Sequence, residues 1–77
     1  MYYLRLFETP GSIGRSFGIA AETEVDARES AAEHVQYVSV NGGRVEVCRE
    51  DEPYAVATLV RIPGGYEWRE HLHAPPR

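Results

Sequence analysis

The chain has 77 residues, 43% of them hydrophobic and 26% charged, which fits an ordinary globular domain and argues against disorder. Its formal net charge of −4 argues against a general affinity for nucleic acid or for anionic membrane surfaces. Cys48 is the only cysteine, which excludes a disulfide framework and a sulfur-rich metal centre and suits a reducing cytoplasm.

A domain this small hides only about 60% of the surface its unfolded form exposes, so dimerisation would add to its stability. The basic residues are all arginine, with no lysine. Coding bias in a GC-rich bacterial or phage genome explains this more simply than selection for bidentate contacts. Arg5 and Glu8 interrupt the only apolar stretch near the start, so no signal peptide is expected. No apolar run approaches the ~18 residues of a membrane-spanning helix.

In chain order, Tyr2 to Glu8 alternates and is rich in β-formers, so it is predicted to be a first strand. Tyr2, Leu4 and Leu6 line one face and Tyr3, Arg5 and Phe7 the other. Thr9 to Gly14 has the composition of a loop. Arg15 to Glu22 is predicted to return antiparallel, with Phe17, Ile19 and Ala21 alternating inward and Gly18 marking a bulge or close backbone approach.

The one clear helix runs from Thr23 to Val35. It opens with a capping box, in which the Thr23 side chain accepts from the Asp26 amide and Asp26 reaches back to the Thr23 amide. Ala27, Ala31, Val35, Ala32 and Val25 fall within a sector about 160° wide, with Asp26, Glu29 and Glu33 opposite. A face made mostly of alanine lets such a helix lie close against a sheet.

Beyond the helix, Tyr37 to Val40 is predicted as a short strand, and Asn41-Gly42 as the turn of a hairpin returning along Arg44 to Arg49. Glu50 to Pro53 forms a second turn, and Tyr54 to Ile62 the longest strand, with Tyr54, Val56, Val60 and Ile62 on one face. Pro63-Gly64-Gly65 turns again into a final strand over Tyr66 to Arg69. The expected fold is α+β: an antiparallel sheet of four to six strands in the order ββαβββ, with a single helix packed on one face. Residues 1–73 form one domain and 74–77 a flexible tail. The second sheet face is left without intramolecular cover and is expected to carry Tyr3, Phe7 and either Ala57 and Leu59 or their alternates. Several hundred Å² of such surface favours a homodimer.

Three groups of residues could carry function. The first is acidic: Asp26, Glu29 and Glu33 on the helix, with Glu50, Asp51 and Glu52 in the turn. These would either be a solvated surface or a partner-binding set that imitates phosphate spacing against a basic groove. The second is aromatic: Tyr3, Phe7, Tyr66 and Trp68 could stack single-stranded nucleic acid or a flat ligand on the open sheet face, although packing explains them equally well. The acidic balance makes direct nucleic-acid binding the weaker reading. The third is His71-x-His73, which suits a metal by spacing but lacks a third ligand apart from the isolated His34, so no metal or cofactor is expected. Cys48 sits mid-strand among apolar neighbours, Ser12 and Ser16 have no nucleophile elbow around them, and Gly11 to Gly14 precedes no helix. No catalytic residue is assigned, and the chain is taken as a non-enzyme.

Ala20-Ala21-Glu22-Thr23 leads into a helix with alanines at 27, 31 and 32, followed by a valine-rich hairpin and a terminal Tyr66-Glu67-Trp68-Arg69. In this architecture the chain resembles small phage and mobile-element proteins of the anti-CRISPR inhibitor type. The resemblance implies a compact, non-catalytic inhibitor acting on a protein partner with a basic, nucleic-acid-binding surface in the cytoplasm of a bacterial host. It assigns no role to any individual residue.

Overall fold

The computed structural model describes residues 1–52 and 54–70. Strands β1 (Tyr2–Phe7) and β2 (Arg15–Gly18) are followed by helix α1 (Glu24–His34), a 3₁₀ turn (Val35–Tyr37) and strands β3 (Arg44–Arg49), β4 (Ala55–Ile62) and β5 (Gly65–Glu70). All strand pairs are antiparallel, and the sheet order is β2-β1-β3-β4-β5. The fold is α+β with the helix packed against the sheet, as the residue pattern indicates.

The register decides which side chains share a face. Leu4 lies opposite Val47 and Leu6 opposite Val45, Val45 lies opposite Leu59, and Leu59 opposite Trp68. These residues form the helix side of the sheet and, with Ala27, Ala31, Val35 and Val38, make up the core. Burying aliphatic side chains of this size stabilises by about 1.5–3 kcal/mol each. Alanines at the contact let the helix approach the sheet closely. Of the predicted apolar sector, Ala27, Ala31 and Val35 are buried and Ala32 is half-buried, but Val25 is 67% exposed. Val25 lies at the edge of the sector in the first helical turn, outside the arc that the sheet covers. Thr23 caps the helix by accepting from the Asp26 amide at 3.2 Å. The return bond from the Asp26 carboxylate does not form among the described residues.

Two strand expectations are corrected. β2 ends at Gly18 rather than Glu22, and nothing lies close to the place of a Gly18 side chain, so this glycine marks a strand end and not a bulge. Residues 37–40 form no strand. The helix tightens into the 3₁₀ turn, and Val38 then drops into the core, 4% exposed. The Asn41-Gly42 turn does form, with Gly42 at φ 102°, but it leads from the 3₁₀ turn into β3 and joins no hairpin. Gly43 is where the chain passes through: a Cβ there would sit 2.5 Å from the Ser39 nitrogen and 2.6 Å from the Glu8 oxygen. Those two groups are themselves hydrogen-bonded at 2.8 Å.

The second sheet face is also not the apolar patch expected. Ala57 and Leu59 point to the helix side and are fully buried. The open face carries Tyr3, Arg5 and Phe7 opposite Cys48, Glu46 and Arg44, then Thr58 and Val60 on β4 and Glu67 and Arg69 on β5. Thr58 and Val60 are only 5% and 8% exposed. Long arginine side chains can cover apolar surface with their stems while keeping their heads in water. The premise of a dimer built on exposed apolar surface is therefore missing. The tail and both C-terminal histidines, His71 and His73, lie outside the described residues, as does Pro53.

Candidate functional site

Backbone hydrogen bonds tie three segments together at one end of the sheet. The Tyr2 amide donates to the Ala21 carbonyl at 3.2 Å, and the Glu50 amide to the Met1 carbonyl at 3.1 Å. The lead into α1 and the β3–β4 turn therefore flank the start of β1. Glu22, Glu24, Asp26, Glu50 and Asp51 are exposed here and Glu52 is half-buried. Arg28 pairs with Glu24 at 2.8 Å and Arg49 with Asp51 at 2.8 Å. The carboxylates of Glu22, Asp26, Glu50 and Glu52 have no arginine partner among the described residues.

The structure thus brings Asp26 to the same end as Glu50, Asp51 and Glu52, but not the whole predicted acidic set. Glu29 sits midway along the exposed side of α1. Glu33 lies about 10 Å from Asp26 along the axis, at 1.5 Å per residue. It is in the last turn, beside His34, which lines a cleft with Leu6, Arg15 and Ser16. Glu22 escaped the sequence reading because it precedes the helix; only the Tyr2–Ala21 bond reveals that it belongs to this end.

The aromatic set divides in two. Tyr3 and Phe7 lie on the open face, whereas Tyr66 and Trp68 lie on the helix side of β5, opposite Arg61 and Leu59. β3 and β4 also separate β1 from β5. No single stacking platform contains all four. Each half is instead covered by arginine: the Arg44 guanidinium lies 3.8 Å from the Phe7 ring centroid, Arg5 6.0 Å from Tyr3, and Arg28 4.8 Å from Trp68. Glu46 holds two of these cations, Arg5 at 3.3 Å and Arg44 at 3.5 Å.

No family model matches the chain, and no curated protein or solved structure is similar to it at a significant level. Its function has to be argued from its own geometry.

Among the described residues, no group of three or more His, Cys, Asp or Glu side chains is placed to hold a metal. The His34 Nδ1 meets the Ser30 carbonyl at 2.7 Å, and its ring stands edge-on to Tyr37. The Cys48 thiol is 1% exposed. Burial pushes its pKa up, opposed by the charge of Arg5 and a hydrogen bond with Tyr3, so it stays protonated near neutrality and is a poor nucleophile. No helix among the described residues is long and apolar enough to cross a membrane.

Two grooves lie at the end of the sheet opposite the acidic one. One, of about 370 Å³, runs between the end of α1 and the β4–β5 turn and is lined by Val35, Gln36, Val40, Arg61 and Tyr66 among others. The second, of about 440 Å³, opens beside it between the Asn41-Gly42 turn and strands β4 and β5, and contains Arg44, Arg61 and Arg69. Among the described residues, one end of the molecule therefore carries carboxylates without an arginine partner, and the other carries Arg61 on the helix side and Arg44 and Arg69 on the open face.

Proposed function

We propose that this chain is a non-catalytic interaction module of the cytoplasm that presents its acidic end to a basic, nucleic-acid-binding surface of a protein partner. One observation supports the reading: Asp26 and the 50–52 turn lie at the same end of the sheet, where four carboxylates have no arginine partner among the described residues. Like charges placed at one end raise the local negative potential at a repulsive cost. A cationic groove relieves that cost and is found faster by electrostatic steering. The resemblance to anti-CRISPR inhibitors narrows the partner class to RNA-guided effector complexes of bacterial defence.

The direct test adds the purified chain to a panel of such effector complexes and measures nucleic-acid displacement. Displacement should saturate at one chain per site and weaken with rising salt. Asp26→Asn combined with Glu50→Arg should abolish it with little change in the melting curve. Glu29→Arg with Glu33→Arg should weaken it less, because those carboxylates lie along the helix. Displacement from none of the complexes, or displacement indifferent to both variants, would overturn the proposal.

A further inference from the structure

Strand β5 is the last in the sheet, and one of its edges pairs with no other strand. α1 packs on β1 and β3 and the 3₁₀ turn on β4, so β5 lies beyond the helical layer. The Arg28 side chain reaches across to Trp68, but Tyr66 is left 49% exposed. The ladder fixes where the backbone of β5 points. The Arg61 amide donates to the Gly43 carbonyl at 2.8 Å, on the β3 side, so Arg61 and Tyr66 face each other as a pair without hydrogen bonds between them. Leu59 and Trp68, two residues along, repeat that arrangement. The N–H and C=O groups of Tyr66 and Trp68 therefore aim out from the sheet edge and have no backbone partner among the described residues.

The side chains beside this edge narrow down what pairs with it. The groove of about 370 Å³ between the end of α1 and the β4–β5 turn reaches the edge at Gly64, Gly65 and Tyr66. A Cβ on either glycine would meet nothing within 4 Å, so the groove opens toward the edge. Ala32, Val35, Val40 and Tyr66 give it apolar walls, and none of the described residues lining it is acidic. Arg61 lies in it with Nη1 on the carbonyls of Gln36 at 2.6 Å and Val38 at 3.2 Å, leaving Nε and Nη2. Arg5, Arg15, Arg28, Arg44, Arg49 and Arg69 each meet a carboxylate within 3.5 Å, and Arg61 is the one described arginine that does not. A free backbone edge calls for an extended peptide, an apolar groove beside it for an apolar side chain, and one unmatched guanidinium for one carboxylate. Glu67 and Arg69 pair with each other on the opposite face at 3.0 Å, where charged side chains disfavour indiscriminate strand pairing.

We propose that β5 docks an extended acidic segment of a protein partner as a sixth strand. The backbone of that segment pairs with Tyr66 and Trp68, an apolar side chain enters the groove against Val40 and Tyr66, and a carboxylate meets Arg61. The site stands independently of the acidic surface around Asp26 and residues 50–52, and neither proposal fails with the other.

The test screens the full chain against a phage-displayed library of random dodecapeptides and follows a synthetic peptide of the most enriched sequence by NMR. Enriched sequences should place Asp or Glu two residues from Val, Ile, Phe or Tyr, the spacing that puts both side chains on one face of a strand. The peptide should shift the signals of Val40, Arg61 and Tyr66 and protect the Tyr66 and Trp68 amides from hydrogen exchange. Replacing its acidic residue by the corresponding amide should weaken binding about tenfold, the effect of removing one charge-assisted hydrogen bond. Of two peptides N-methylated on alternate residues, one should lose binding and the other keep it, because only one edge of a strand faces β5. Tyr66→Ser should weaken binding, whereas Glu50→Arg, at the acidic end, should leave it unchanged. No enriched sequence, the same response from both methylated peptides, or shifts confined to residues 22–26 and 50–52 would overturn the proposal. Binding indifferent to loss of the peptide carboxylate would overturn it too, since Arg61 then selects nothing.

Discussion

At the scale of single residues, Arg61 takes over a job that local backbone hydrogen bonds leave undone. Where α1 tightens into the 3₁₀ turn, the carbonyls of Gln36 and Val38 accept from one nitrogen of its guanidinium. Helix ends leave such carbonyls without intrahelical partners. Arg61→Met keeps the stem and removes the donor, so it should destabilise the fold by about 1–3 kcal/mol, read as a lower urea midpoint at unchanged slope. Cys48 makes a second residue-scale prediction, through pH. Burial raises its thiol pKa in the folded state, so the native protein holds this proton to higher pH than the unfolded chain does. Stability from this source is complete below the ordinary thiol range of about 8.5–9 and is lost as pH rises through it toward the folded-state pKa. Urea midpoints measured from neutral to alkaline pH should fall more steeply for the native chain than for Cys48→Ala, which isolates the cysteine from the tyrosines that titrate higher. Parallel curves would remove the effect.

At the scale of elements, the helix was legible because its signals are local: Thr23 at the cap, alanines at helical spacing and acidic residues opposite. The segment after it misled for an equally physical reason. Val38 and Val40 alternate as a strand would, but one buried valine and two carbonyls held by Arg61 satisfy the chain without a ladder partner. Asn41-Gly42 has the right turn chemistry and joins elements that local propensity could not identify. The faces of β1 were legible from alternation, whereas relating Tyr3 and Phe7 to Tyr66 and Trp68 requires register across three strand pairs, which no local pattern encodes. The same holds for the acidic end: the acidic residues of the helix and of the 50–52 turn were recognisable separately, but their placement at one end follows from β1 lying between β2 and β3 in the sheet. An 11-residue helix is too short to be stable alone, so α1 depends on its contact with β1 and β3. Ala31 is fully buried at that contact. Ala31→Leu should therefore push the helix off the sheet despite its good helix propensity, at a cost of about 1–3 kcal/mol, measured as a drop in Tm. A variant as stable as the parent would show that the layers have room to separate.

At the scale of the whole molecule, the unpaired layer raises the question of assembly. A small sheet with one helix could gain from a second copy, yet the surfaces available here resist pairing. The open face is a network of Arg5, Arg44, Glu46, Glu67 and Arg69 in which Thr58 and Val60 are already covered. The edge strand β2 is only four residues long, and β5 places Glu67 and Arg69 along the other edge. Short and charged edges are the devices by which sheets avoid edge-to-edge pairing. The net charge of −4 adds repulsion between copies. One attractive arrangement remains, with the acidic end of one copy against the opposite end of the next, which carries Arg44, Arg61 and Arg69. That contact is head-to-tail, closes no two-fold dimer and weakens as salt screens it. Sedimentation equilibrium at tens of micromolar protein should accordingly give a mass near 8.7 kDa at physiological ionic strength. A mass that rises only as salt is lowered would identify the head-to-tail contact. A mass near twice the chain's, indifferent to salt, would contradict this account and point to an interface built on exposed side chains away from the open face, such as Tyr37, Val40 and Tyr66.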